Sequence, residues 1–248
     1  MTILKPTFII LIILITWQLL VTISNIPAYI LPTPTSVIGA TVSNVDTMWA
    51  HAIITFIEMI SGLIIGTILG SLSALILCYY RPVRQWLMPI LVISQAIPVF
   101  ALAPILVLWL GYGMISKVAM AVLIIYFPVT AAFFDGLKNT NHGYVDLSHT
   151  MGASKRSTLI HIKMPAALPA FASGLRVATA MAPIGAIVGE WVGSSEGLGY
   201  LMLHANGRMQ IDVMFAALLV LAVMSITLYY TVDAGLKRIL FWAPEKII

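Results

Sequence analysis

The chain has 248 residues, a length that fits one domain. Hydrophobic residues make up 60% of it and charged residues 9%, where a soluble domain carries roughly a quarter charged; an ordinary water-soluble fold is excluded. The 13 basic and 9 acidic residues leave +4, but the basic ones stand in small groups between long apolar runs, which is the layout of membrane topology and not of a nucleic-acid surface.

A hydrocarbon core about 30 Å thick needs about 20 apolar residues in a helix. Residues 8–25, 53–79, 87–110, 116–135, 167–190 and 212–235 meet or nearly meet that length. Inside lipid the backbone must satisfy its own hydrogen bonds, and these runs are too long and too evenly apolar for barrel strands. An all-α polytopic membrane protein of about six transmembrane helices is therefore predicted, with residues 1–248 as one transmembrane domain. Lys5 followed by residues 8–23 resembles a secretory leader. No small-residue cleavage site follows, since the next residues are Ser24-Asn25-Ile26-Pro27, so an uncleaved first span is expected.

After the first span, residues 26–50 form an outer segment with Pro27, Pro32 and Pro34 and a modestly amphipathic stretch up to Trp49. The second span holds Gly62, Gly66 and Gly70, which put three small residues on one helix face. Such a face lets another helix approach closely, either across a subunit seam or within one subunit. Glu58 lies near its outer end, as Glu190 does in the fifth span, and an ionisable residue in a span is a candidate for the translocation path. Cys78, the single cysteine, allows no internal disulfide and reads as a small buried hydrophobe.

The third span carries Pro89, Pro98 and Pro104, which remove backbone hydrogen bonds and tend to kink a helix. Gln95 stands one turn before Pro98, so Gln95 and Pro98 are path candidates; Gln95 could equally bridge helices. Residues 136–166 form the longest inner connection, and residues 191–211 an outer loop rich in glycine.

Lysine and arginine placement sets the orientation. One side collects Lys5, Arg81, Arg84, Lys138, Lys155, Arg156, Lys163, Lys237, Arg238 and Lys246; the other has Lys117 and Arg208, with Arg176 unassigned. Ten against two predicts that both termini and residues 136–166 are cytoplasmic. The six tryptophans fall near the predicted interfaces, as belt residues do.

Within the inner connection, Leu147 and Met151 are four apart and share a face of a short helix, which Gly152 is suited to end. A second short helical stretch follows, before Pro165. Apolar residues exposed on such a helix–turn–helix suggest docking to a protein partner.

This stretch resembles the EAA loop of binding-protein-dependent ABC permeases. Asp146, Leu147 and Ser148 stand at the Glu-Ala-Ala positions, a conservative departure. Gly152, followed by Ala153, stands at the family's glycine, and Ile162, Met164 and Pro165 match the closing run. Gly174-Leu175-Arg176 matches the tripeptide that commonly follows. Leu31-Pro32-Thr33-Pro34, the run from Ile97 to Pro104, Gly111-Tyr112-Gly113 and Gly197-Leu198-Gly199-Tyr200 are similar to motifs of the nitrate/sulfonate/taurine group. The resemblance implies a type I importer fold in the bacterial inner membrane and a second permease copy, as a homodimer. It also implies an ABC ATPase subunit docked on the loop and an extracytoplasmic solute-binding protein. The solute would be a thiamine-pyrimidine precursor, a sulfonate, nitrate or similar.

Other function classes fit less well. A secondary transporter or channel not coupled to ATP would want midplane ionisable groups or an inverted repeat, and neither is evident. An intramembrane metalloenzyme would want clustered ligands. His142, His149 and His161 are spread along one loop, His51 and His204 lie elsewhere, and no His-Glu-x-x-His occurs, so no metal is expected. The chain also lacks a phosphate-cradling glycine-rich lysine loop, so it is expected to bind no cofactor and to leave ATP hydrolysis to a separate subunit.

Overall fold

A computed structural model describes residues 4–243, and every regular element among them is helical. Lys246 and the side chain of Lys5, both counted above on the inner side, lie outside the described residues.

Helix α1 (Leu4–Ile23) leads through a proline-containing turn to α2 (Pro34–Ser43). Thr33 caps α2 by accepting from the Ser36 N–H at 3.2 Å, and Pro34 occupies the first turn, where its missing N–H costs nothing. Then comes α3 (Val45–Tyr79), 35 residues long. The span expected over residues 87–110 is not one helix. It is α4 (Arg81–Ser94) and α5 (Val99–Leu110), meeting at 102°. At the break, Gln95, Ala96 and Ile97 donate three residues back, to Val92, Ile93 and Ser94. Pro98, with no N–H to offer, stands at the α5 cap, so the ladder stops there.

Helix α6 (Met114–Lys138) runs to the inner connection. That connection folds as α7 (His142–Thr150), α8 (Lys155–Thr158) and a π turn (Leu159–Lys163) feeding α9 (Met164–Gly193). The outer glycine-rich loop contains a further helix, α10 (Leu198–Gly207), before α11 (Ile211–Ile239). Four stretches are long and apolar enough to cross a membrane: α3, α6, Lys155–Gly193 and α11. The bent α4–α5 pair is a broken span or a re-entrant loop, and α1 contributes a shorter apolar stretch, Leu11–Ile23.

The core forms where α6 lies between α3 and α9. The glycine row of α3 faces α6. A Cβ on Gly66 would stand 2.7 Å from Ile125 Cγ2, one on Gly70 3.0 Å from the Tyr126 carbonyl oxygen, and one on Gly62 would collide with Ala121. On the opposite flank, Gly189 of α9 admits the Lys117 backbone just as closely. The Gly62, Gly66 and Gly70 face is thus a packing seam within one subunit, and the intersubunit reading is set aside. Arg176, unassigned from sequence, bonds Asp233 of α11 at 2.6 Å, and Lys237 reaches the same carboxylate at 2.8 Å.

Candidate functional site

The inner connection is a braced platform. Asn141 caps α7 by accepting from the Gly143 N–H at 2.8 Å, and Ser154 caps α8 by accepting from the Ser157 N–H at 3.2 Å. Between them Gly152 has φ +75°, the left-handed region that glycine enters without penalty. The Ala153 N–H then returns to the Ser148 carbonyl at 2.9 Å, closing the C-terminal turn of α7.

Ser148 and Thr158 are buried, and their hydroxyls meet at 3.0 Å, bolting α7 to α8. Ser148, grouped from sequence with the docking residues, is therefore an internal bolt. Asp146 and Gly152 are exposed, Ala153 is half-buried, and Pro165 sits exposed in the first turn of α9. Leu147 is 58% exposed and Met151 78%. Two large apolar side chains are thus held outward on a braced base, an exposed apolar patch of the kind that marks a contact surface.

At the other end of the bundle the structure corrects the reading of Glu58 and Glu190. From sequence both are candidates for the translocation path, as ionisable residues near the outer ends of spans. Both are buried, and they lie side by side. Lys117 Nζ stands 3.2 Å from Glu58 Oε1. Glu190 accepts from the Thr55 hydroxyl at 2.6 Å and from the Gly199 N–H. The Leu198 N–H donates to Thr55 Oγ1 at 2.8 Å, and the Gly197 N–H to His51 Nδ1 at 2.9 Å. Gly197 has φ +105°, and a Cβ there would overlap the Glu190 carboxyl. These groups clasp the start of α10 onto α3 and α9.

Lys117, Thr55 and His51 were not picked out as members of such a cluster. A signal for two of them was present. His51, Thr55 and Glu58 recur at helical spacing, forming a polar stripe along an apolar helix. Lys117 is buried and paired, so it is no longer an outer-side loop charge. Gln95 and Pro98 lie at the α4–α5 break, both exposed; the structure does not bring them to Glu58 or Glu190.

A model of the family described as the binding-protein-dependent transport system inner membrane component matches residues 62–240, from within α3 to the end of α11. The chain is 54% identical over 238 residues to a probable ABC transporter permease protein of Haemophilus influenzae, covering 96% of this chain and 97% of that one. It is 39% identical over 244 residues to the formylaminopyrimidine transport permease protein ThiX of Halalkalibacterium halodurans, covering 98% and 97%. Among solved structures, a chain of the MetNI methionine ABC transporter in an inward facing conformation superposes with a TM-score of 0.61 at 19% identity, over 78% of this chain and 94% of that one. That likeness is one of fold.

Proposed function

This chain belongs to the family of inner membrane components of binding-protein-dependent transport systems, and we propose that the solute it passes is a small nitrogen heteroaromatic of the pyrimidine type. It is the multi-pass permease subunit of an ABC importer, a transport component and not an enzyme, working with an ATPase and a solute-binding protein. The solute assignment is supported by the formylaminopyrimidine permease, similar along nearly its whole length.

The observation that carries the geometry of the reading is the braced platform with Leu147 and Met151 outward. It gives the ATPase subunit a rigid apolar face to grip. This chain holds no nucleotide itself. A second copy pairs with it across the α4–α5 break. Non-helical backbone at membrane depth is tolerated only when protein covers it or it lines water. The break leaves Gln95, Ile97, Pro98 and Phe100 exposed on one subunit, so a partner copy and a path between the two would satisfy it.

The test is hydrolysis by the reconstituted importer. ATPase activity is expected only when the ATPase subunit is present, and it should rise when the cognate binding protein arrives loaded with formylaminopyrimidine. Stimulation by taurine and not by the pyrimidine would overturn the solute assignment, and hydrolysis by this chain alone would overturn the division of labour.

Both termini and residues 136–166 face the cytoplasm on the lysine and arginine count. Single cysteines at the exposed positions Ser43, Thr150 and Ser195, in a Cys78→Ala background, test this in intact cells. An impermeant thiol reagent should label Ser43→Cys and Ser195→Cys but not Thr150→Cys; the reverse pattern would invert the topology.

A further inference from the structure

Where the inner ends of α3, α4 and α9 meet the platform there is a cavity of about 290 Å³. Arg81 and Arg84 enter it from the start of α4, Lys155 from α8 and Lys163 from the foot of α9; His149 of α7 also lines it. Among the described residues no aspartate or glutamate does. Among the described residues none of the four cations forms a salt bridge, although Arg84 and Lys163 are half-buried. The positive-inside bias puts cations on this side of the membrane, but it does not gather four of them, from α4, α8 and the π turn, around one hollow whose described lining holds no acid.

We infer that this cavity binds the phosphate of an anionic phospholipid headgroup, wedged between the spans and the platform. Basic hollows between spans at the inner membrane surface are suited to acidic headgroups. Water takes about 30 Å³ per molecule, so the volume is that of about ten waters and accommodates a phosphodiester with part of its glycerol. Tyr79 and Tyr80, both exposed, stand beside it at the end of the apolar run of α3, at headgroup height. The lipid is favoured over an acidic side chain of the ATPase because the cavity lies behind α7. Val145 and His149 face it, while Leu147 and Met151 are exposed on the docking face. A bound phosphate joins Lys155 on the platform to Arg84 on the spans, so bilayer charge tightens the platform.

The molecule carries its own probe. Cys78, its single cysteine, lines the cavity and is half-buried. Alkylation of Cys78 by a small neutral maleimide would be timed in the assembled importer, in nanodiscs of phosphatidylcholine alone or with phosphatidylglycerol, and in phosphatidylcholine with inorganic phosphate added. Phosphatidylglycerol should slow the reaction several-fold and inorganic phosphate should not. Each cation near the surface contributes about 1 kcal/mol toward an anionic headgroup. Arg84→Gln should therefore raise the phosphatidylglycerol needed for half-protection about fivefold, while Arg84→Lys should stay near the parent.

Protection by inorganic phosphate alone would overturn the lipid assignment. Equal rates in all three media would overturn it too, as would a thiol shielded in every medium until the ATPase subunit is removed. The reading rests on a membrane-spanning chain and on none of the solute assignment, so the two fail separately.

Discussion

Gly152→Val is expected to leave the permease in the membrane at near-parental abundance while its coupling to the ATPase is lost. Gly152 has φ +75°, and no atom lies within 4 Å of where a Cβ would be. The cost of the substitution is therefore conformational and not one of packing. A β-branched residue at positive φ is strained, by about 1–3 kcal/mol. The cheapest relief is to unwind the end of α7, which breaks the Gly152 N–H to His149 and Ala153 N–H to Ser148 bonds, at 3.0 and 2.9 Å. Leu147 and Met151 then lose their shared presentation, although no span is touched.

Co-purification of the ATPase subunit and stimulation of hydrolysis by loaded binding protein are the readouts. Both should fall at least tenfold if about 1.4 kcal/mol or more of the strain is released into the docked state. Gly152→Asn is the control, because asparagine tolerates the left-handed region, and it should keep most of the coupling. A valine variant that couples like the parent would show that the turn can shift without moving the docking face.

The second large effect lies at the other end of the bundle. Lys117→Met should destabilise the chain by about 3–5 kcal/mol, the cost of breaking a buried ion pair from one side. Lys117 and Glu58 are 8% and 0% exposed and 3.2 Å apart. Apart from that ammonium, the Glu58 carboxylate oxygens have no hydrogen-bond partner among the described residues. Glu190 stands beside them as a further acid. Losing the lysine leaves two carboxyl groups together in a site closed to water, and the clasp on α10 loosens with them. The yield of monodisperse protein in detergent and its thermal aggregation temperature should both drop. Adding Glu58→Leu to Lys117→Met removes the stranded acid, and a buried pair replaced by apolar residues of similar volume is often neutral. Recovery in the double variant is thus the signature of a pair, and a single variant as robust as the parent would mean that Glu58 finds another partner.

What the sequence made legible, and what it hid, divides along the distinction between local and tertiary causes. The long apolar runs and the helix-ending turn at Gly152 are local, and they read directly. The glycine row on α3 announced a close approach, but only the assembled bundle says that the approaching helix is α6. Pro98 marked a weak point in the third span. The size of the turn, 102°, depends on what holds the two halves, so a kink was foreseen and a right-angled break was not. Glu58, Lys117 and Glu190 were each visible as charges near span ends. That Lys117 pairs with Glu58 beside Glu190, all three buried, follows from α3, α6 and α9 packing together, which no single segment encodes. Ser148 looked like a motif position and proved to be half of a hydroxyl pair whose other half, Thr158, lies on the next helix.

The length of α3 bears on how the subunit can move. Trp49 and Tyr79 lie near its two ends, both with rings exposed. At 1.5 Å per residue they are about 45 Å apart along the axis, and still about 42 Å apart at the roughly 20° tilt typical of such helices. A bilayer measured from headgroup to headgroup is about 40–45 Å thick. With one aromatic ring at each membrane surface, sliding the helix by one turn toward either side would drag one ring into hydrocarbon and lift the other into water. Piston motion is the displacement this helix resists. Rocking about the membrane plane keeps both rings at their surfaces, and through the clasp and the glycine seam α3 would carry α10 and α6 with it as one piece.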